Sequence, residues 1–557
     1  MPRLPFLLLG LLLFPLPMIA QEWDHRETAF GDLGADIRSL PVLSASPFDA
    51  AAAAADDALR DRDGKLPLHA RFVPAMVDPI VHGVWTDAPD GGRIWRAVLA
   101  SHGALAVEVF LSGVVLPPAS RLYVYDPDGG QVQGGFTGAH VAPDGSLSTL
   151  PVLGDRVVME YHEPYAVRGE GRFIVDRLAH GYRMLEDLRS GACEVDVNCG
   201  EGEAWSEQRD AVVRIRIVIP AGTGFCTGTL MNNTAQDCSP YILTAFHCGE
   251  ESTTANFSQY IFLFNYQRAC GSGSASASQV MTGCVRRADS NDSGAEGGGT
   301  FGSDFMLVEL NTTVPAAYNA FYAGWDATVL GSSSGVTIHH PDADVKKIST
   351  YASTLTSASW AGFTNGSHWR VTWVATTNGH GVTEPGSSGA PLFNTSKRVI
   401  GTLTGGQSCC TSNGCGPQTG LNQPDYYGKL SYHWDSNPNP PEEKLRLFLS
   451  PTGNFITLAG SYSPCGTIGI VEPSAGSDLV VSYDAASGRY TVRPMGERFG
   501  QGTATLMDAT GRVVRSEALS GRSELVVDPS GLGSGVYVLQ VIDRGLRGAQ
   551  RIYVAQP

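Results

Sequence analysis

The sequence has little positive charge. Its 557 residues include 39 Lys and Arg against 55 Asp and Glu, and the formal net charge at pH 7 is -16. With no basic stripe to neutralise phosphates and release counterions, this balance argues against nucleic acid as a partner. Charged residues make up 17% of the chain and hydrophobic residues 42%, which is typical of globular domains and not of disordered segments.

Signals for metal ions and for membrane spans are also missing. No Cys-x-x-Cys or His-Glu-x-x-His string is present, so the sequence predicts no metal site and implies no cofactor. The adjacent His339 and His340, in the string Ile-His-His-Pro, are more typical of a strand end than of a metal site. After the N-terminus, no apolar run is long enough to cross a membrane.

The longest apolar run lies at the N-terminus itself. A stretch from Leu4 to Ile19 follows Arg3, contains three prolines and ends before Ala20. A positive start, a short apolar run and a small residue before the cut are typical of a secretory signal peptide, which we assign to residues 1–20. We therefore expect a protein that is secreted or held at the cell surface, with most of its 11 cysteines in disulfides.

Cysteine is absent outside one region: all 11 cysteines lie between Cys193 and Cys465.

The chain is too long for one hydrophobic core, and its 66 glycines and many short apolar runs between turn residues predict an all-β fold. Residues 21 to about 65, rich in Ala and Asp, predict a poorly packed leader with one helix. The predicted parts are a signal peptide (1–20), an N-terminal segment (21–187, β-rich at about 70–170), a cysteine-bearing domain (188–465) and a C-terminal β-sandwich (472–557).

The cysteine-bearing domain also holds a set of residues suited to nucleophilic catalysis. A serine hydroxyl needs a neighbouring base to take its proton, and histidine titrates in the right range for that. Ser388 lies in Gly386-Ser387-Ser388-Gly389, where backbone amides can approach a developing oxyanion. His247 follows one strand-like run and Asp304 precedes another. The order His, Asp, Ser matches one class of catalytic triad.

Each of these residues also has a purely structural interpretation. His247 beside a disulfide is compatible with a buried structural histidine, Asp304 with a turn former, and the Gly/Ser string with a surface loop. The order of the three residues favours catalysis. Ser388 is then a better nucleophile than Ser387, because the amides of Gly386 and Ser388 would both point at the oxyanion.

Strings spread along this domain carry a resemblance to a known family. They are Asn232–Asp237, Leu243–Cys248, Phe264–Gln267, Ser303–Phe305, Ala323–Asp326, Ile338–Pro341 and Gly381–Gly389. In these strings the region from about Cys193 to Gly453 resembles the lysyl endopeptidases, secreted bacterial serine proteases with the fold of trypsin. The resemblance implies a trypsin-like double six-stranded β-barrel. It also implies that His247 is the general base, Asp304 its orienting partner and Ser388 the acylated nucleophile. The implied oxyanion hole is the amides of Gly386 and Ser388.

The resemblance extends to substrate specificity. In the family an aspartate at the base of the S1 pocket binds the substrate lysine, and Asp425 matches that aspartate. Alternatively, Asp425 is only a turn residue before two tyrosines. A buried carboxylate would be left unpaired by an uncharged side chain. Trp360 matches a tryptophan that shields the pocket, whereas Thr404 replaces a histidine that stacks on that tryptophan. The implied function is hydrolysis after Lys, with Arg as the second candidate.

Ser387 distinguishes the chain from trypsin. Trypsin has an aspartate at this position, which pairs with a newly freed N-terminus on activation, and that ion pair is unavailable here. The resemblance implies a long prosegment instead, and 21–187 fits that role. An Arg-rich stretch ends at Arg183 and Arg189. It predicts cleavage between about these two residues, by the enzyme itself or by a similar one.

The resemblance also implies a set of disulfides. They are Cys226–Cys248, Cys199–Cys270 and a bond from Cys193 to one of Cys409, Cys410 and Cys415. Cys238 and Cys284 lack family counterparts and are expected to pair with each other. Cys465 is expected to pair within the late cluster, which leaves one cysteine over.

The C-terminal part resembles the sorting domains of the type IX secretion system. The strings that carry this resemblance are Leu506–Val514 and Leu532–Val541. It implies export of Gram-negative type, with that secretion machinery as a partner, while a ligand-binding β-sandwich is the alternative.

The leading function is therefore a secreted, monomeric serine endopeptidase acting on proteins or peptides with a basic residue before the cut. The alternatives are a serine endopeptidase of other specificity and an inactive protease-like binding or adhesion protein.

Overall fold

The computed structural model describes most of the chain after residue 36. The described residues are 37–554, without 184–189, 276–278, 292–301, 361, 411–414, 437–439, 441–442, 466–478, 485–488, 495–498, 501, 509–511, 529, 531, 533–534 and 544–545. The assigned signal peptide (1–20) lies outside them. The chain divides into two compact units, Met1–Pro464 and Cys465–Pro557. Both are built mainly from strands, which confirms the β prediction, and no described helix is long and apolar enough to cross a membrane.

The N-terminal segment forms one helix, α1 (Ala50–Arg62), and two layers of strands. Its strands are β1 Val42–Ser44, β2 Leu68–Val77, β3 Val84–Asp87, β4 Arg93–Ala100, β5 Ala106–Val115, β6 Arg121–Tyr125, β7 Val132–Phe136, β8 Leu147–Ser148, β9 Val152–Leu153, β10 Arg156–Glu163 and β11 Arg172–Gly181. The first layer has the order β1-β4-β10-β6-β7, and β3 pairs with β4. Trp95, Leu111 and Val157 belong to the apolar core between the layers.

Helix α1 corrects the expectation of a poorly packed leader. Asp49 caps its first turn by accepting a hydrogen bond of 2.9 Å from the Ala52 amide, and alanine is the best helix former. Arg60, in the last turn, is buried and lies 2.6 Å from Glu251 of the cysteine-bearing domain. A buried guanidinium needs such a partner, so this contact ties the helix to the cysteine-bearing domain.

The cysteine-bearing domain is built on two sheets. The elements of its first half are β12 Val195–Asp196, α2 Ser206–Ala211, β13 Val212–Ile219, β14 Gly222–Met231, β15 Tyr241–Thr244, α3 Thr254–Phe257, β16 Ile261–Leu263, β17 Val280–Thr282, β18 Cys284–Asp289 and β19 Met306–Leu310. Those of its second half are β20 Phe321–Tyr322, β21 Trp325–Asp326, β22 Gly335–His339, β23 Lys347–Tyr351, β24 Thr356–Ala358, β25 His368–Val371, β26 Pro391–Phe393, β27 Val399–Gly406, β28 Asp425–Lys429, α4 Leu430–Asp435, α5 Leu445–Leu449, β29 Thr457–Leu458 and β30 Ser461–Tyr462.

The sheet of the first half continues into the N-terminal segment. Its order is β17-β16-β13-β14-β2-β11-β5-β8, and the second sheet runs β12-β23-β22-β26-β27-β28-β25-β24. Strand β14 pairs with β2, with Gly222 opposite Arg71 and Thr223 opposite Ala70. The pairing covers an edge that would otherwise expose unpaired backbone groups. The sheets have twelve and ten strands, so the double six-stranded barrel remains a prediction.

The C-terminal unit contains two antiparallel sheets. Its strands are β31 Leu479–Asp484, β32 Arg489–Pro494, β33 Thr503–Asp508, β34 Val513–Ala518, β35 Leu525–Val527, β36 Gly535–Asp543 and β37 Leu546–Val554. Their orders are β31-β32-β35 and β34-β33-β36-β37. Val492 and Leu525 from the first sheet share one apolar core with Leu506 and Val541 from the second. The two sheets therefore face each other.

Candidate active site

His247, Asp304 and Ser388 lie in direct contact. His247 Nε2 is 2.8 Å from Ser388 Oγ, and His247 Nδ1 is 2.8 Å from Asp304 Oδ2. The backbone amide of His247 donates a further bond of 3.0 Å to Asp304 Oδ1. The Asp304 side chain is 1% exposed and that of His247 15% exposed, so the carboxylate is buried while the imidazole reaches the surface. The structure thus brings the three residues into the arrangement of a nucleophile (Ser388), a base (His247) and a carboxylate that orients the base (Asp304).

Antiparallel pairing of β15 and β19 brings the histidine and the aspartate together. Thr244 ends β15 opposite Met306, which begins β19. His247 lies in a short helical turn, Phe246–Cys248, that follows β15. Asp304 lies just before β19. Asp304 has a left-handed backbone with φ of 58°, a conformation that aspartate tolerates better than most residues.

Charge and burial act in opposite directions on Asp304. Burial raises the pKa of its carboxyl, but the hydrogen bonds and the charge of His247 outweigh burial and bring the pKa below its ordinary value of 3.8. Asp304 is therefore ionised at neutral pH. An ionised partner holds the proton of His247 on Nδ1, which leaves Nε2 free to accept from the serine hydroxyl.

The serine loop depends on glycine at two positions. Gly386 and Gly389 have φ of 91° and 81°, where glycine avoids the strain of a Cβ. A Cβ at Gly386 would also lie 2.9 Å from the carbonyl oxygen of His340. Within the described part of the chain, the amides of Gly386 and Ser388 have no hydrogen-bond partner. The unpaired amides of the nucleophile and of the residue two positions before it are available to an oxyanion.

Asp425, the first residue of β28, lies at the bottom of the second half and is fully buried. Its Oδ2 accepts bonds of 2.6 Å from Trp373 Nε1, 2.8 Å from Thr383 Oγ1 and 2.6 Å from Ser408 Oγ. Burial nevertheless raises the pKa of the carboxyl. Among the described residues no cationic side chain pairs with it, and a side chain at Gly406 would collide with Oδ1. The missing Cβ at Gly406 leaves that oxygen approachable.

Trp360 and Thr404 have different partners in the structure. The Trp360 ring stacks on Tyr426 with centroids 4.7 Å apart, and it also lies over Gly405. Thr404 Oγ1 is instead 3.0 Å from Nε2 of His368, on the neighbouring part of the sheet. The threonine is thus partnered by a second histidine that no sequence spacing indicates.

The disulfides differ in part from the expected set. The structure contains Cys193–Cys410, Cys199–Cys270, Cys226–Cys248 and Cys409–Cys415. The expected Cys238–Cys284 bond is wrong, because Cys238 is disulfide-bonded whereas Cys284 is a buried free thiol. Cys284 begins β18, where its Sγ lies 3.6 Å from the carbonyl oxygen of Phe257, and a buried thiol packs as a small apolar group. Cys465 does not pair within the late cluster, whose members are already bonded.

The adjacent histidines are buried parts of the scaffold. His339 Nδ1 is 2.8 Å from Ser387 Oγ and its Nε2 is 3.2 Å from Ser349 Oγ. His340 Nδ1 is 2.9 Å from the carbonyl oxygen of Asp344. Burial lowers the pKa of His339 to about 3, so this ring is neutral. Ser387 is thus fixed by hydrogen bonds behind the nucleophile.

Comparison with known proteins shows the family of the chain. A family model described as the C-terminal domain of lysyl endopeptidase matches residues 188–428. The lysyl endopeptidase of Pseudomonas aeruginosa is 30% identical over 356 residues, covering 58% of this chain and 71% of that protein. The chain is therefore a protease. It belongs to the lysyl endopeptidase family.

Two solved protease structures are more distant. The active form of a Mycobacterium tuberculosis protease is 13% identical with a TM-score of 0.27, over 44% of this chain and 88% of the other. A thermostable serine protease from an extremophilic microorganism is 14% identical with a TM-score of 0.28, over 42% and 100%. Both TM-scores are low, and the family assignment rests on the sequences alone.

Proposed function

We propose that the chain is a serine endopeptidase that hydrolyses peptide bonds after Lys, with Arg as the second accepted residue, through an acyl-enzyme. One observation carries the proposal. The His247 ring lies between Asp304 and Ser388, with each of its nitrogens 2.8 Å from an oxygen of one partner. This is the distance at which a proton moves between a hydroxyl and an imidazole.

The first chemical step is attack by Ser388. His247 Nε2 takes the hydroxyl proton as Oγ attacks the substrate carbonyl carbon, and the ionised Asp304 stabilises the imidazolium that forms. His247 then gives the proton to the leaving amine. Water, activated by the same imidazole, hydrolyses the acyl-enzyme and returns Ser388 to its hydroxyl form.

Charge on the substrate oxygen is stabilised by the backbone. The amides of Gly386 and Ser388, which have no other partner among the described residues, are the donors that we assign to the oxyanion hole. Removing one such donor costs about 10²–10³-fold in kcat in enzymes of this type. Backbone amides cannot be removed by substitution, so Gly386, with its φ of 91°, is the residue that fixes their direction.

Asp425 supplies the preference for a cationic side chain. Its carboxylate is buried with hydrogen-bond donors but without a cation in the described residues, which leaves negative charge for the substrate to neutralise. An uncharged substrate side chain would leave that charge unpaired at a cost of several kcal/mol. Trp360 and Thr404 complete the set of residues that we assign to substrate binding.

The specificity is tested by cleavage of a peptide library with the active protein and with Asp425→Asn. We expect cleavage after Lys and Arg, and a fall of at least about 100-fold in kcat/KM for a Lys substrate in the variant, because a charge-assisted bond is lost. Asp435→Asn, an exposed aspartate at the end of α4, is the matched control and should cleave as the native protein does. A native preference for uncharged residues would instead support an endopeptidase of other specificity.

We also propose the roles of the flanking parts. Residues 1–20 are a signal peptide, 21–187 a prosegment, 188–465 the protease domain and 472–557 a sorting domain that leads the protein through the type IX machinery to the surface or the medium. The family and the two facing sheets of the C-terminal unit support this arrangement. Normal export of a chain lacking 472–557 would refute the sorting role.

A further inference from the structure

The first residues of the protease domain bond directly to carboxylates. The Ser190 amide donates to Asp344 Oδ2 at 3.1 Å, and the Ser190 hydroxyl donates to the same oxygen at 2.9 Å. The Gly191 amide donates to Glu384 Oε2 at 2.8 Å. Asp342 and Glu194 lie close enough to these carboxylates to repel them electrostatically. We call Glu194, Asp342, Asp344 and Glu384 the acidic site.

Glu194 marks this site as one that lacks a ligand. Its side chain is 0% exposed, and neither carboxylate oxygen has a hydrogen-bond partner among the described residues. The backbone of Val382 is close enough to favour the charged form of Glu194 and so to lower its pKa, but burial outweighs this effect. His339 Nε2 lies 3.7 Å away, but that ring is neutral. A buried carboxyl without a partner is costly in a folded protein.

The described cations near Asp344 also bind other groups. Lys347 Nζ is 3.2 Å from Asp344 Oδ2 but closer, at 2.6 Å, to Asp196. Arg268 also pairs with Asp196, and Arg214 donates to the carbonyl of Ala343. Burial and the neighbouring carboxylates raise the pKa of Asp342 to about 7 and that of Glu194 well above its ordinary value.

We propose that the acidic site binds the α-ammonium group of Ser190 after hydrolysis of the peptide bond between Arg189 and Ser190, two residues beyond the domain boundary assigned above. Water supplies a hydroxyl group to the Arg189 carbonyl carbon and a proton to the Ser190 nitrogen. The new carboxylic acid loses its proton, and the amine gains one near neutral pH. A backbone amide that donates one hydrogen bond to Asp344 thereby becomes a cation with three donors at the same place.

The acidic site is connected to the nucleophile loop by short bonds. Glu384 directly precedes Pro385 and Gly386, and the Asp342 amide donates to the carbonyl oxygen of Pro385 at 2.6 Å. The Ser387 amide donates to the carbonyl of Glu384 at 3.0 Å. An ammonium group on Asp344, next to the Gly191 amide that Glu384 holds, would therefore stabilise the loop that presents the amides of the oxyanion hole. Trypsin uses the residue before its nucleophile for this purpose, whereas Ser387 is bonded to His339 here.

The test uses the full chain with residues 184–189 replaced by the recognition sequence of an added protease that leaves Ser190 first. The matched control has one glycine inserted between the cut and Ser190. Two quantities are measured after the cut: the rate at which cyanate carbamylates the new amino group, by mass spectrometry, and kcat/KM for a lysyl peptide per titrated active site. Both forms are also made with Asp344→Asn.

We expect the Ser190 amine to react at least about tenfold more slowly than the glycine amine, with kcat/KM at least about tenfold higher, as one charge-assisted hydrogen bond would give. Both differences should vanish with Asp344→Asn. Equal amine reactivity in the two forms, or a difference that persists in Asp344→Asn, overturns the proposal. The activity readout rests on the proposed protease function, whereas the cyanate readout does not, so a protein without activity that still protects its Ser190 amine refutes only the proposed function.

Discussion

Two residues at the site illustrate how burial and charge decide protonation. Burial opposes the ionised form of both Asp304 and Asp342, but the outcomes differ because their neighbours differ. His247 donates two hydrogen bonds to Asp304 and lowers its pKa, whereas Glu384 and Asp344 face Asp342 and add to the effect of burial. The first carboxylate is thus ready to support an imidazolium, and the second is poised to be neutralised by a cation.

Asp342→Asn should stabilise the uncut chain at high pH. The folded protein retains a proton on Asp342 up to about pH 7, while the unfolded chain loses it near 3.8, so stability falls as the pH rises between these values. The variant lacks this loss, and asparagine suits the left-handed backbone at that position. We expect a gain of about 1–2 kcal/mol at pH 8 and little change at pH 3, since the group is only partly enclosed.

Urea unfolding of the two proteins, both carrying Ser388→Ala to prevent self-cleavage, measures this difference. A gain of the same size at both pH values would contradict the assignment of the effect to ionisation.

The sequence predicted the residues of the site better than their supports. His247, Asp304 and Ser388 lie in short strings whose chemistry is local, and these could be chosen from the printed sequence. Trp373, Thr383 and Ser408 hold Asp425 from three separate segments, and no spacing relates them. The free Cys284 was misjudged for a similar reason, because burial of a thiol depends on the fold around it.

At the scale of elements, the sheet shared by β14 and β2 is the main finding. The lack of cysteine before residue 193 indicated a boundary in sequence, but composition carries no information about which edge strands pair. The interface also contains a buried polar cluster. Glu108 on β5 lies 2.7 Å from His69 Nε2, 2.8 Å from Thr223 Oγ1 and 3.5 Å from Arg216 Nε.

Glu108→Gln should destabilise the uncut chain. Burial raises the pKa of Glu108, but Arg216 and His69 outweigh burial and lower it, so the carboxylate stabilises the fold above its unfolded pKa and ceases to do so as the pH falls through its folded value. Without that carboxylate Arg216 is a buried charge lacking its ion-pair partner, and we expect a loss of about 3–5 kcal/mol near neutral pH.

Urea unfolding in a Ser388→Ala background provides the measurement, and Glu170→Gln, at an exposed position of the same segment, is the control. If Glu108→Gln lowers the free energy of unfolding by less than Glu170→Gln does, the fold does not need Glu108 to compensate the charge of Arg216.

At the scale of the whole molecule, the chain has three parts: the N-terminal segment, the protease domain and the C-terminal unit. The first two share a sheet, and the third is a separate compact unit. Length and composition predicted several parts and a β fold. The sequence could not predict that the N-terminal segment and the protease domain form one compact unit, because that depends on hydrogen bonds between strands more than a hundred residues apart, such as those between Ala70 and Thr223.

The central claim is that Ser388 is a nucleophile activated by His247. Intact-mass analysis of the purified protein after treatment with a fluorophosphonate is the most direct test, with peptide mapping to locate the adduct. We expect one adduct, on Ser388, in the native protein and in the Ser387→Ala control, and none in Ser388→Ala or His247→Ala. An adduct on another residue, or one that persists in Ser388→Ala, would contradict it.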